Sequence, residues 1–165
     1  MARMAEIGSK SNQICLLICL PASIDPSAAA ISAAASASDP AAAATALQPT
    51  PIGMVNLVDN NGGNMPQVRR LMLGINVLKG YRGQGYGSEA IEWALRWGFV
   101  RAGLHSIRLG YFGWNENAGR LYKKLGFVED ARFRDYLWHE GRFWECVEMS
   151  MLEDEWRESR GWKLT

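Results

Sequence analysis

At 165 residues the chain has room for one domain with a genuine hydrophobic core. Its 18 basic and 17 acidic residues leave a net charge of +1, and no dense basic stripe occurs, which argues against nucleic-acid binding as its main role. Cys15, Cys19 and Cys146 are odd in number and lack metal spacing with histidine, which argues against a disulfide framework or a metal site, and the Cys-x-x-x-Cys pair Cys15 and Cys19 in an apolar run reads as buried thiols.

Residues 1–13 read as an N-terminal tail, and 14–165 as a single domain. Ile14–Leu20 is the only long apolar run and is far too short to cross a membrane. Arg3 and Lys10 precede it and small residues follow, as in a secretory leader, but Glu6 lies upstream and a buried central strand is the better reading. From 21 to 51 the composition shifts to Ala, Ser and Pro. Ala28–Ala37 or Ala41–Leu47 could hold short helices, yet neither carries a large apolar stripe, so 21–51 reads as an insertion.

Beyond it the pattern is orderly. Ile52–Val58 and Arg69–Leu78 are predicted strands, joined by the turn-forming run Asn60, Asn61, Gly62, Gly63, Asn64. A glycine-rich loop, Tyr81–Ser88, leads into a predicted helix, Ser88–Phe99, with Ala90, Ile91, Ala94 and Leu95 on its packed side. Ser106–Phe112 is a strand, and a second helix begins at Asn115. Phe127–Trp138 and Phe143–Leu152 form a final hairpin. This order predicts a mixed α/β fold around a largely antiparallel sheet.

The loop carries the strongest chemical signal. Strand, glycine turn and helix make a phosphate cradle, because glycine lets the backbone approach a ligand while N–H groups and the helix dipole favour an anion. It is not a Walker loop, since Ser88 and Glu89 follow Gly87 where Lys-Ser/Thr would be needed. Nor is it a dinucleotide fingerprint: Gly83, Gly85 and Gly87 leave Ser88 at the third glycine's place. A diphosphate of another kind fits.

A second segment, Asn115–Phe127, places Ala118, Leu121, Tyr122 and Leu125 on one helix face. Asn115 suits the N-cap and Gly126 the C-terminal stop, with Lys123 and Lys124 in the last turn.

With these two segments in view, residues 51–152 resemble the GNAT superfamily of acyl-CoA-dependent N-acetyltransferases. Arg82, Gly85 and Gly87 match the family's Arg/Gln-x-x-Gly-x-Gly/Ala loop. Asn115, Ala118, Tyr122, Gly126 and Phe127 match its Asn-x-x-Ala-x-x-x-Tyr-x-x-x-Gly-Phe segment. The late aromatic hairpin is similar to the branch holding ribosomal-protein and polyamine acetyltransferases. The resemblance implies a sheet splayed at an acyl-CoA cleft, with acetyl-CoA as co-substrate and no metal. Loop backbone at Arg82, Gly83, Gln84, Gly85, Tyr86 and Gly87, with Ser88 opening the helix, would hold the pyrophosphate. Backbone of Ile75, Asn76 and Val77 would pair with the pantetheine amides. Asn115 would bind the pantetheine arm or the adenine side, or serve only as a cap. Tyr122 would protonate the leaving thiolate, or serve only as a core tyrosine.

No carboxylate lies on the strand before the loop, so the base is open among Asp135, Glu140, Glu145, His139 and water, while Glu129 and Asp130 read as surface charge or weak recognition of a cation. Relatives carry helices before the strand assigned to Ile14–Leu20, and these are missing here. A second copy of the chain is one source for that wall, which leaves a homodimer open. The implied function is acetyl transfer to a primary amine in the cytoplasm, on a small molecule, polyamine or protein, with neither nucleic acid nor membrane as partner. The alternative is an inert acyl-CoA-binding module with a regulatory or interaction role.

Overall fold

The computed structural model describes residues 3–10, 13–21, 49–60 and 66–162. Nearly all of the insertion read at 21–51 lies outside them. Seven strands form one sheet in the order β1-β2-β3-β4-β5-β7-β6. They are β1 (Arg3–Lys10), β2 (Gln13–Leu20), β3 (Thr50–Val58), β4 (Arg70–Val77), β5 (Ser106–Phe112), β6 (Val128–His139) and β7 (Arg142–Leu152). Every neighbouring pair is antiparallel except β4 with β5. The segment read as a tail therefore contributes an edge strand, and Ile14–Leu20 is penultimate instead of central. Its mixed composition hid β1, whose role is to cover the edge of the apolar β2.

Strand alternation puts one row of side chains on each face. Ile14, Leu16, Val55, Leu57, Leu71, Leu73, Ile107, Leu109, Val147, Met149 and Met151 are all buried in a single core. Three helices complete it: α1 (Tyr86–Arg96), α2 (Glu116–Leu125) and α3 (Glu153–Ser159). Ala90, Ile91, Ala94 and Leu95 form the buried side of α1, as their spacing predicts. A π-helical turn, Trp97–Arg101, extends it. Gly98 is needed there, because a Cβ would stand 2.6 Å from Ile107 Cδ1.

Asn115 caps α2 by accepting a hydrogen bond from the Ala118 N–H at 3.3 Å, and Gly126 ends it at φ 97°. The sequence reading gave no element after Leu152. There α3 starts where Glu155 accepts from the Leu152 N–H at 2.9 Å, and its buried Trp156 packs on Phe99 with ring centroids 5.5 Å apart. The hairpin β6–β7 turns at Glu140 (φ 48°) and Gly141 (φ 82°), the paired positive angles of a tight two-residue turn.

Candidate active site

The parallel pair β4–β5 is the structural key. Only Arg70 with Ser106, Leu71 with Ile107 and Met72 with Arg108 are paired. Past Met72 the two strands part. From there β4 keeps its pairing to β3 through Gly53 with Val77, and β5 keeps its pairing to β7 through Phe112 with Cys146. The facing edges of Leu73–Val77 and Leu109–Phe112 bound a wedge whose edge backbone groups, apart from the Val77 carbonyl, can pair with an extended ligand, as at any open sheet edge.

At the wide end of the wedge the chain leaves β4 through a short 3-10 turn, Lys79–Tyr81, and enters the loop. Gly83 and Gly85 take φ values of 76° and 91°, and a Cβ at either would meet nothing within 4 Å. Gly85 is the N-cap of α1, so the loop delivers free N–H groups at a helix start, facing open space. Tyr86, Gly87 and Ser88 lie inside the first turn of α1, two residues earlier than the sequence reading placed it, because the left-handed Gly85 starts the helix. Arg82 does more than add charge: its Nε donates to the Val77 carbonyl at 2.7 Å, fastening the loop to the end of β4. Gln84 Nε2 donates to the Gly80 carbonyl at 3.2 Å.

The helices close one side of the wedge. A Cβ on Gly87 would touch Leu121 of α2 at 3.9 Å, Val77 at 3.9 Å and Ile75 at 4.0 Å, so α1, α2 and the end of β4 converge there. Asn76 alternates to the opposite face and is exposed. Asn115 stands at the head of α2, beyond the end of β5, with its Oδ1 engaged in capping.

Tyr122 projects from α2 toward β5. Its ring is buried, edge-on to Tyr111 of β5 at 6.2 Å and 6.1 Å from Phe127. Among the described residues its hydroxyl has no hydrogen-bond partner, yet it is not among the fully occluded unpaired atoms. Burial of the ring pushes the phenol pKa above its ordinary 10.0, so the group holds its proton at neutral pH. A protonated hydroxyl with no partner can donate to whatever enters beside it.

The candidate bases are dispersed. Glu145 and Glu129 both pair with Arg132, Glu140 stands at the exposed hairpin tip, and Asp135 sits in an irregularity of β6 at φ 50°. His139 stacks on Trp114 at 4.6 Å, and Trp114 on Phe112 at 4.7 Å. Asp130 is held by Ser150 Oγ at 3.0 Å and lies 3.8 Å from Arg108. Two residues that sequence reasoning missed stand nearer the wedge. Glu148 is paired through the backbone with Gly110 of β5, and Asn56 with Gly74 of β4. For Glu148 the available signal was a carboxylate alternating with the apolar row Val147, Met149, Met151.

Among the described residues no three His, Cys, Asp or Glu side chains cluster to hold a metal ion, and no helix is long and apolar enough to cross a membrane.

With this geometry in place, the sequence profile of the acetyltransferase (GNAT) family matches residues 19–127. The chain belongs to the GNAT family. It is 27% identical over 88 residues to the [ribosomal protein uS5]-alanine N-acetyltransferase of Escherichia coli, spanning 53% of this chain and 45% of the relative. It is 28% identical over 105 residues to the spermidine N(1)-acetyltransferase of Vibrio cholerae, spanning 64% and 58%. The chain thus spans about half the length of the curated relatives it matches. A solved spermidine/spermine N-acetyltransferase from Vibrio cholerae shares the fold at a TM-score of 0.66 and 20% identity, covering 92% of this chain and 70% of that one. That enzyme has also been solved in complex with CoA and spermine, and as a dodecamer.

Proposed function

We propose that the protein is an acetyl-CoA-dependent N-acetyltransferase acting on a primary amine by direct transfer. One observation carries the reading: β4 and β5 stop pairing after Met72 and Arg108, and the resulting wedge opens at a left-handed glycine loop that heads α1. The residues present fit coenzyme A. Gly83 and Gly85 leave the space a pyrophosphate needs, since side chains there would fill it. The edge of β4 at Ile75–Val77, where only the Val77 carbonyl is already taken by Arg82, suits a pantetheine arm with its two amides. When bound, acetyl-CoA supplies an acyl group activated as a thioester.

The chain's own groups do the rest. N–H groups from Gly83 to Ser88 hold the anionic end, helped by the helix dipole. Arg82 keeps the loop tied to β4 through the Val77 carbonyl, so loop and strand present one continuous binding edge. Leu121, Tyr111 and the Tyr122 ring wall the wedge and exclude water, which strengthens polar contacts within it. The Tyr122 hydroxyl donates a proton to the departing sulfur, a role its raised pKa and lack of an internal partner suit. Asn115 caps α2 and so fixes the position of Tyr122, two turns further along the same helix.

The family membership and the named activities of the relatives support catalysis; no feature of the site favours the inert alternative. The finer assignments are also part of this proposal: a cytoplasmic setting, where acyl-CoA is available, and self-association, as in the dodecameric Vibrio cholerae enzyme. Thermal unfolding with added ligands tests the donor site. Acetyl-CoA and CoA at about 100 times their Kd should each stabilise the fold by roughly 2.7 kcal/mol, while ATP at the same concentration should not. Equal stabilisation by ATP, or none by acetyl-CoA, would remove the assignment.

A further inference from the structure

Strand β6 ends the sheet, and its outer edge pairs with no other described strand. Of its 12 residues only Ala131 is partly buried, and the rest are exposed. Polar side chains would account for that exposure, yet this strand carries Phe133, Tyr136, Leu137 and Trp138, and β7 adds Phe143. The rings are ordered. Phe133 meets Tyr136 at 5.9 Å, Tyr136 meets Phe112 at 6.4 Å, and Phe112 stacks on Trp114 at 4.7 Å. Phe112 alternates with Tyr111, which meets Gly119 of α2, so this strip lies on the sheet face turned away from α2. Phe143 is three residues from Cys146, the β7 partner of Phe112, so it takes the opposite face, where it meets Trp138 edge-on at 5.1 Å.

Aromatic surface therefore wraps both sides of one free strand edge. Trp114, Phe133, Tyr136, Trp138 and Phe143 are 37–60% exposed. At about 150–250 Å² per aromatic side chain, together they present roughly 500 Å² to solvent. The largest apolar patch of a monomer is about 300–600 Å² and is often functional, and a standard dimer interface takes about 800 Å² from each partner. The rings supply most of such an interface. The charges at its middle indicate the occupant. Between Phe133 and Leu137, four steps along β6 match two along β7, so Arg134, Asp135 and Tyr136 project as a bulge, with Asp135 at φ 50°. Arg134 and Asp135 are exposed, and neither has an ion-pair or hydrogen-bond partner among the described residues. A shallow hollow of about 720 Å³ lies against them, lined also by Arg132, Phe133 and Tyr136. A bulge that carries one unpaired cation beside one unpaired anion is self-complementary. Under a two-fold axis each charge meets its opposite, twice, whereas a partner of a single charge would satisfy only half of it.

We propose that the β6–β7 hairpin is the face through which two copies of this chain associate about a two-fold axis, Arg134 of each copy meeting Asp135 of the other; this rests on the self-association in the reading above. The same axis carries Phe133 of one copy to Tyr136 of the other, so the charge pairs sit inside an aromatic surround. Covering β6 also shields the edge strand, whose unpaired backbone groups and apolar side chains would otherwise recruit other chains. The strip ends at Trp114, beside Asn115 and the head of α2, so the second copy abuts the wedge on the face turned away from α2.

The test is sedimentation velocity on the whole chain from about 1 to 100 μM, which spans micromolar association. The wild type should run as a dimer. Arg134→Asp and Asp135→Arg each set like charges across the axis, and each should raise the dimer dissociation constant at least about a hundredfold. Mixed together, the two variants restore both opposite pairs and should form a heterodimer, which also shows that each is folded. Tyr136→Lys, outside the charge pair, should weaken the dimer as well. A wild type that stays monomeric at every concentration defeats self-association and this interface with it. A dimer unchanged by Arg134→Asp and Tyr136→Lys, or charge variants that melt as the wild type does yet fail to combine when mixed, overturns the hairpin interface and leaves self-association standing. A hairpin-dependent dimer without acetyl transfer would instead defeat the catalytic reading and leave the interface in place.

Discussion

Gly85 and Gly103 offer a matched pair for testing the donor cradle. Both are left-handed, at φ 91° and 62°, and a Cβ on either would meet nothing within 4 Å. Valine at either position therefore costs backbone strain without a clash inside the fold. For a β-branched residue held at positive φ that strain is about 1–3 kcal/mol. A domain of this size loses roughly 2–4 °C of Tm per kcal/mol, so both variants should fold and melt lower by similar amounts. Their ligand binding should diverge. At Gly85 the new methyl groups occupy the space over the α1 N-terminus and deny an anion its approach. Losing two charge-assisted hydrogen bonds removes about 3–6 kcal/mol, which is a hundredfold or more in Kd. Gly103 lies between the π-helical turn and β5, away from the loop, and its variant should bind CoA as the wild type does. Titration calorimetry with CoA on both variants at a temperature where each is folded reads the contrast directly. Equal CoA affinity in Gly85→Val and Gly103→Val would show that the loop does not cradle the ligand.

Three further outcomes follow from the same geometry. Tyr122→Phe keeps the buried ring and deprives no partner of a hydrogen bond, so Tm should hold while steady-state turnover falls about ten- to ten-thousandfold, less where water substitutes as donor. Gly119→Ala would put a Cβ 2.6 Å from Tyr111 Cζ, and the overpacking should cost about 1–3 kcal/mol in denaturant unfolding and disturb the Tyr111–Tyr122 contact. Burial raises the pKa of Tyr122 above 10.0 and of Cys19 and Cys146 above 9.0, so the folded state keeps these protons longer than the unfolded chain. Stability should be full below pH 9 and decline as pH climbs past these values, and Tyr122→Phe should blunt the later part of that decline.

Much of this architecture was written in local pattern. The Asn115 cap, the Ala118–Leu125 face and the Gly126 stop are short-range devices, and α2 appears where they predict it. The alternation in Ser106–Phe112 likewise fixed β5 at its observed bounds. The start of α1 slipped by two residues because helix onset depends on the left-handed turn at Gly85, which composition does not reveal. β1 was missed since its partner, not its own sequence, makes it a strand. α3 was missed because its only strong anchor, Trp156, is buried by a distant residue, Phe99. The same reasoning explains the site. The loop and Tyr122 are local and legible. Asn56 and Glu148 become neighbours of the wedge only through strand pairing across 18 and 38 residues of sequence, roughly the distances over which no local pattern operates.

The measurement closest to the central claim follows the acetyl group itself. The whole chain is incubated with acetyl-CoA labelled in the acetyl carbons and with spermidine or an alanyl tripeptide, and products are read by mass spectrometry beside free thiol. The account predicts labelled N-acetyl product equal in amount to the thiol released, with both lost in Gly85→Val and sharply reduced in Tyr122→Phe. Binding of acetyl-CoA with no amine-dependent thiol release and no labelled product would contradict it.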